Sequence, residues 1–340
     1  MSNFIRIIMV FVLGLTLHAR VLEDQSGHAV TVPDRVDRAF GLSPPMNYLL
    51  YALDPHKMIG LNFKANNKNN SASKALLGDY FFSLPVLGSF YGAGQTINLE
   101  ALLKQKPQLV LVWKDGMMVD TVLKQMKHIN VPSLLVPFND IDTMPGAFKL
   151  AGDALGVHKR GEKLAHYTQK TIDHISTSLK GVKPVRYYYA EGRSGLLTEC
   201  DNSFHVKALN FAGGVNVDTC KQSNLVGLER ISFETLLNFN PEVIIVQDPK
   251  AYEKILTSPL WKYLKAVQKR RVYLVPHKPF NWVDRPPSFM RIIAIQWLAH
   301  IFHPQAYDIN INDHVKEFYQ LFFNVTLTDK QIKSILGENR

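Results

Sequence analysis

Seven side chains have the types needed to hold a small polar solute. Lys114, Arg193 and Arg285 can neutralise carboxylate or catecholate oxygens, the two arginines through a two-pronged guanidinium. Tyr91, Trp113 and Trp282 offer flat surface with a hydrogen bond at one edge. His277 can complete the coordination of a metal whose chelator leaves a position open, or it is an ordinary loop histidine, since no second ligand stands near it in sequence. Gly88, Gly92 and Gly94 beside Tyr91 let backbone approach a ligand, or simply turn the chain. Any one of these residues is equally well a surface charge or a core aromatic. Only their convergence would make a site.

Other chemistries find less support. The chain has no GxSxG elbow, P-loop, HExxH or Cys–His signature, so it is not expected to be an enzyme. His300 and His303 sit at a helix end before Pro304, and His166 and His174 lie along one helix. A receptor for bare zinc or manganese would need three or four preset ligands, and no His-rich loop provides them. A net charge of +10 raises the local concentration of anions without naming one. No basic run interleaved with aromatics suggests nucleic acid. Cys200 and Cys220 can pair in an oxidising compartment, or remain two buried thiols.

The elements that would position these residues follow from a repeat. Asn98–Trp113 and Ser232–Gln247 share Glu, Leu-Leu, Pro and an apolar run at one spacing, offset by 134 positions as Pro107 and Pro241 show. Each unit reads as a short helix stopped by Pro and followed by a buried strand. Further strands are expected at Arg38–Ser43, Met58–Leu61, Val86–Gly88 and Ser133–Val136, then at Val185–Ala190 and Val272–Val275. Val21–Val32 predicts a hairpin turning at Ser26-Gly27, and Lys64–Lys74 an Asn-rich polar insertion. Leu164, Thr168, Ile172, Ile175 and Leu179 share one helical face, so Lys159–Leu179 predicts a helix of roughly 30 Å, long enough to bridge two bodies. Ile7–Leu17 is an apolar run too short to span a bilayer, which suits a signal peptide ending near Ala19, and no Cys follows it to carry a lipid.

The expected fold is α/β: two lobes with parallel sheets bridged by one long α-helix, with the ligand cleft between them. The divisions are residues 1–19 for the signal peptide, 20–157 for the first lobe, 158–181 for the bridge and 182–340 for the second lobe. Ligands of open α/β sheets bind beyond the carboxyl ends of the strands. That nominates Ser43–Pro45, Ser89–Gln95, Trp113-Lys114, Pro137–Asp140, Glu191–Arg193, Gln247-Asp248 and His277–Arg285.

Taken in order, these units resemble the periplasmic binding proteins for iron–siderophore, ferric citrate, haem and cobalamin import. Phe211–Val217, Trp261–Val267, Arg271–Pro276 and Asn281–Pro287 add to the likeness, which spans nearly the whole chain after the leader. The resemblance implies a monomeric periplasmic receptor with no resident cofactor and no nucleic acid partner. It would deliver a metal chelate to an ABC permease dimer in the inner membrane. An iron(III)–siderophore or ferric citrate leads; a nickel–amino-acid chelate, haem or cobalamin are the alternatives. In that family an acidic residue on each lobe meets permease arginines, which implies docking roles for Glu100 and Glu234. Their other reading is a carboxylate favoured by a helix N-terminus, worth about 0.3–1 kcal/mol.

Overall fold

The computed structural model describes residues 19–337 except 25–26, 65–69, 92–95, 117 and 223–226. The leader, Ser26, Gly92, Gly94 and the middle of the Asn-rich insertion lie outside these described residues. The chain opens with the antiparallel hairpin β1 (Ala19–Glu23) and β2 (Ala29–Pro33). Arg20 fastens it to the body by donating to the carbonyls of Asp153, at 2.5 Å, and Ala154, at 3.0 Å. The first lobe then runs β3 (Ala39–Gly41), α1 (Pro44–Leu53), α2 (Asn70–Ser83), α3 (Leu99–Lys104), β4 (Leu109–Trp113), α4 (Val119–His128), β5 (Ser133–Val136) and α5 (Met144–Ala154). The long helix α6 (His158–Ser178) follows.

The second lobe comprises β6 (Val185–Ala190), β7 (Leu197–Thr198), α7 (Lys207–Phe211), β8 (Gly214–Asn216), β9 (Glu229–Arg230), α8 (Phe233–Phe239), β10 (Val243–Val246), α9 (Pro249–Thr257), α10 (Lys265–Gln268) and β11 (Val272–Leu274). Three helices close the chain: α11 (Arg291–Phe302), α12 (Ile311–Phe323) and α13 (Asp329–Leu336). Two parallel sheets carry the architecture, ordered β3-β4-β5 and β11-β10-β6-β8.

The repeat is visible in the pairing itself. β4 lies between β3 and β5 as β10 lies between β6 and β11, and both central strands are buried throughout, as all-apolar runs inside parallel sheets require. Leu109 faces Ala39 and Val243 faces Tyr187; Val110 faces Ser133 and Ile244 faces Val272. Ser43 therefore corresponds to Glu191, and Phe138 to His277. The short helices before the central strands are capped alike: Asn98 accepts from the Ala101 N–H and Ser232 from the Thr235 N–H.

Helix α6 buries Leu164, Thr168, Ile172 and Ile175, as its periodicity predicts. Gly152 and Gly161 set its distance from α5, since a Cβ at Gly161 would meet the Phe148 carbonyl oxygen at 2.6 Å. Helix α11 is buried almost all round, even at Arg291, and packs against both α6 and α7. Cys200 and Cys220 form a disulfide across a 20-residue separation, a closure worth about 3 kcal/mol in chain entropy.

Two expectations change. Met58–Leu61 and Val86–Gly88 contribute single bridges, Ala39 with Met58 and Leu61 with Val86, rather than strands. Pro85 has no N–H to give, and Gly60 and Gly88 offer no side chain to pack, so longer ladders do not form. The polar insertion is helical from Asn70, with a break at Gly78, where φ is +75°.

Candidate functional site

The carboxyl ends of both sheets face one another. Trp113, the last residue of β4, lies edge-on to Phe204 of the second lobe at 5.8 Å between ring centroids. Lys207 pairs with Asp140 at 2.9 Å, and the fully buried Arg291 donates to the Asn139 carbonyl at 2.9 Å. Phe280 leans on Tyr48 of α1 at 4.0 Å. Asp115, absent from the sequence expectations, accepts from the N–H groups of Phe138 and Asn139 and so ties the loop after β4 to the loop after β5.

Buried polar atoms without a hydrogen-bond partner gather here. Ser43 Oγ follows β3, Trp113 Nε1 ends β4, Asn139 Oδ1 follows β5, Tyr189 Oη nears the end of β6, and His277 Nε2 follows β11. Tyr91 Oη joins them, because its ring lies 5.8 Å from Trp113 and over Gly116, where any Cβ would strike it. Leaving such a group unsatisfied costs roughly 1–3 kcal/mol. Native proteins keep few of them. Burial raises the Tyr91 hydroxyl to about 12, so it remains a neutral donor.

The protonation of His277 follows from its neighbours. Asn281 Oδ1 accepts from the Val283 and Asp284 N–H groups, which turns its Nδ2 toward His277 Nδ1 at 3.2 Å. An amide nitrogen can only donate, so Nδ1 accepts and the ring proton sits on Nε2. Burial also depresses the imidazole pKa, keeping the ring neutral. His277 is thus set as a donor, not as a free metal ligand.

Two expected contacts are corrected. Trp282 is 0% exposed, donates from Nε1 to the Tyr319 hydroxyl at 3.2 Å and meets Trp297 edge-on; it is core. Arg285 is held by Glu191 and Glu199, both fully buried, so its charge is matched inside the protein and cannot serve as an open anion clamp. Tyr91 and Trp113 are brought together, with Lys114 exposed at the next position. Arg193 is exposed in the turn between β6 and β7.

Behind the cleft lies a charge network that sequence reasoning missed, because its members are far apart in the chain. Asp284 pairs with His205 Nδ1 and, at 3.1 Å, with Arg291; Ser203 donates to Glu199 at 2.8 Å. Gly227 is required beside it, since a Cβ there would lie 2.1 Å from the Glu199 carboxylate. Three carboxylates surround two guanidiniums, and one extra proton balances them. Burial opposes a charged His205, yet Asp284 outweighs it and raises its pKa. Burial, only partly offset by Arg285, pushes Glu191 up to about 7 from 4.5.

A raised folded-state pKa gives stability that is complete below the unfolded pKa and is lost as pH rises through the folded one. For Glu191 the window is pH 4.5 to about 7. Glu191→Gln is expected to flatten the decline in stability across that window, read as denaturation midpoints of variant and wild type. Identical pH slopes would mean that Glu191 holds no proton there.

Comparison with known proteins bears on the fold and the family. The family model described as periplasmic binding protein matches residues 63–279. An ABC transporter solute binding protein from Sulfurospirillum deleyianum is 38% identical, with a TM-score of 0.88 over 93% of this chain and 98% of that one. The molybdate-binding protein MolA of Haemophilus influenzae is 24% identical over 335 residues, 90% of this chain and 92% of its own. CeuE of Helicobacter pylori, in a nickel–histidine complex, shares the fold at 21% identity, with a TM-score of 0.69 over 94% of this chain and 100% of that one. Among the described residues no helix is long and apolar enough to cross a membrane. The chain belongs to the periplasmic binding protein family: it is a solute-binding protein of an ABC importer, and not an enzyme.

Proposed function

We propose that the solute is a compact, oxygen-rich metal anion, in the first place an iron(III)–siderophore or ferric citrate complex. The observation that carries this reading is the set of unpartnered buried groups at the strand ends, mostly O–H and N–H donors. Donors held rigid in a site shielded from water bind anionic oxygens without needing a full opposite charge. Lys114 and Arg193, both exposed at the edges of the nominated loops, supply attraction at longer range.

A tetrahedral oxyanion is the second reading. The donors already described are neutral, and the Haemophilus influenzae relative is named for molybdate. Nickel–amino-acid chelates, haem and cobalamin complete the set to be tested. Titration calorimetry with ferric dicitrate, nickel–histidine, molybdate, haemin and cyanocobalamin separates them. Heat from an iron complex supports the first reading, and heat from molybdate alone the second. Tyr91→Phe and Trp113→Phe each delete one donor and are expected to weaken the true ligand by about 1–3 kcal/mol, five- to 150-fold. Unchanged affinity in both would remove these residues from the site.

The receptor works as a monomer, with lobes of residues 20–157 and 182–340 about the bridge 158–181. It is exported by residues 1–19. Mass spectrometry of native protein is expected to find a start near Arg20; an intact Met1 would contradict this.

A further inference from the structure

Helices α3 and α8 each turn one leucine inward and the next one outward. Leu102 and Leu236 are fully buried, each in the core of its own lobe, with Leu99 and Phe233 packed beside them. Leu103 and Leu237 remain 42% and 38% exposed. The fold needs only the inward stripe, so the outward leucines have no packing role.

A single exposed leucine needs no explanation. A pair at equivalent positions does. Among the large hydrophobic residues that the described part of the chain exposes, Leu103 and Leu237 alone are related by the 134-residue repeat. Each lies one turn beyond an exposed acidic residue, Glu100 or Glu234, and is followed by an exposed polar one, Lys104 or Asn238. Glu100 and Lys104 pair at 2.8 Å while both stay largely in water, a contact worth little and readily exchanged for a partner's cation.

We propose that Leu103 and Leu237 are paired apolar anchors on the surface that meets the ABC permease, each entering an apolar socket flanked by a cation. The inference rests on the importer assignment and on docking through Glu100 and Glu234, and goes beyond them by dividing the labour. The carboxylates steer the approach, while the leucines, which lose water only on contact, hold the complex. A two-fold partner suits two equivalent leucines, one on each lobe.

The test uses the full-length receptor and its permease complex in lipid nanodiscs, with binding followed by interferometry at low and high salt. The pair Leu103→Ser and Leu237→Ser is expected to dissociate at least tenfold faster, with little change in association rate and an unchanged thermal midpoint. The pair Glu100→Gln and Glu234→Gln is expected to slow association and reduce its salt dependence. Leu256→Ser, at an exposed leucine outside the repeat, serves as the control. Wild-type dissociation kinetics in the leucine pair, with the glutamine pair impaired, would overturn the anchor role and leave docking through the glutamates standing. Failure of wild-type receptor to bind the permease would overturn both.

Discussion

Arg285→Ala is expected to unfold much of the second lobe's cleft face rather than simply weaken ligand binding. Its guanidinium is the counter-charge for Glu191 and Glu199, neither of which reaches water. Removing one partner of a buried pair leaves an uncompensated charge and costs about 3–5 kcal/mol. Glu199 also accepts from Ser203 and from the Leu228 N–H, so its displacement disturbs the loop behind it. Chemical denaturation should show the loss in ligand-free protein. Arg285→Ala together with Glu191→Gln should recover part of it, because one orphaned charge goes with the cation. A single variant as stable as wild type, but with weakened ligand binding, would restore Arg285 to the role of a ligand clamp.

Glu100→Arg combined with Glu234→Arg is expected to abolish uptake while leaving solute binding unchanged. Both side chains are exposed on the first turns of α3 and α8, and Glu100 makes only the water-exposed pair with Lys104 already described. If these residues dock on permease cations as proposed, each reversal replaces attraction by repulsion, and like charges facing one another across an interface cost several kcal/mol. The loss of two favourable helix-end carboxylates is small beside this, about 0.3–1 kcal/mol each. Uptake by reconstituted vesicles, paired with solute titrations, separates the outcomes. Normal uptake would exclude these residues from docking, and lost solute binding would assign them to the fold or the cleft.

The fold was legible where the local signal and the tertiary context agree. The Pro-stopped helices and the apolar runs Leu109–Trp113 and Val243–Val246 appear where the repeat placed them, and α6 starts and ends within a residue of its expected limits. The short strand β8 was not visible, because Gly214–Asn216 gains its conformation from pairing with β6. The site was legible in its loops but not in its charges. Trp282 stands in a nominated loop yet points into the core, and nothing in a sequence reports which way a loop residue faces. Arg285 reads as an open cation until Glu191 and Glu199, more than eighty residues earlier, are brought to it. His205 acts through Asp284, 79 residues on, and Asp115 through the backbone of a loop 23 residues on.

Unpartnered donors at the strand ends are proposed to hold a metal-bearing anion. The most direct test is metal analysis of the receptor purified without chelators from its native host, alongside Tyr91→Phe with Trp113→Phe handled identically. About one metal ion per wild-type chain is expected, with a marked loss of metal from the double variant. A wild-type protein free of metal, or a variant that retains its full complement, would contradict it.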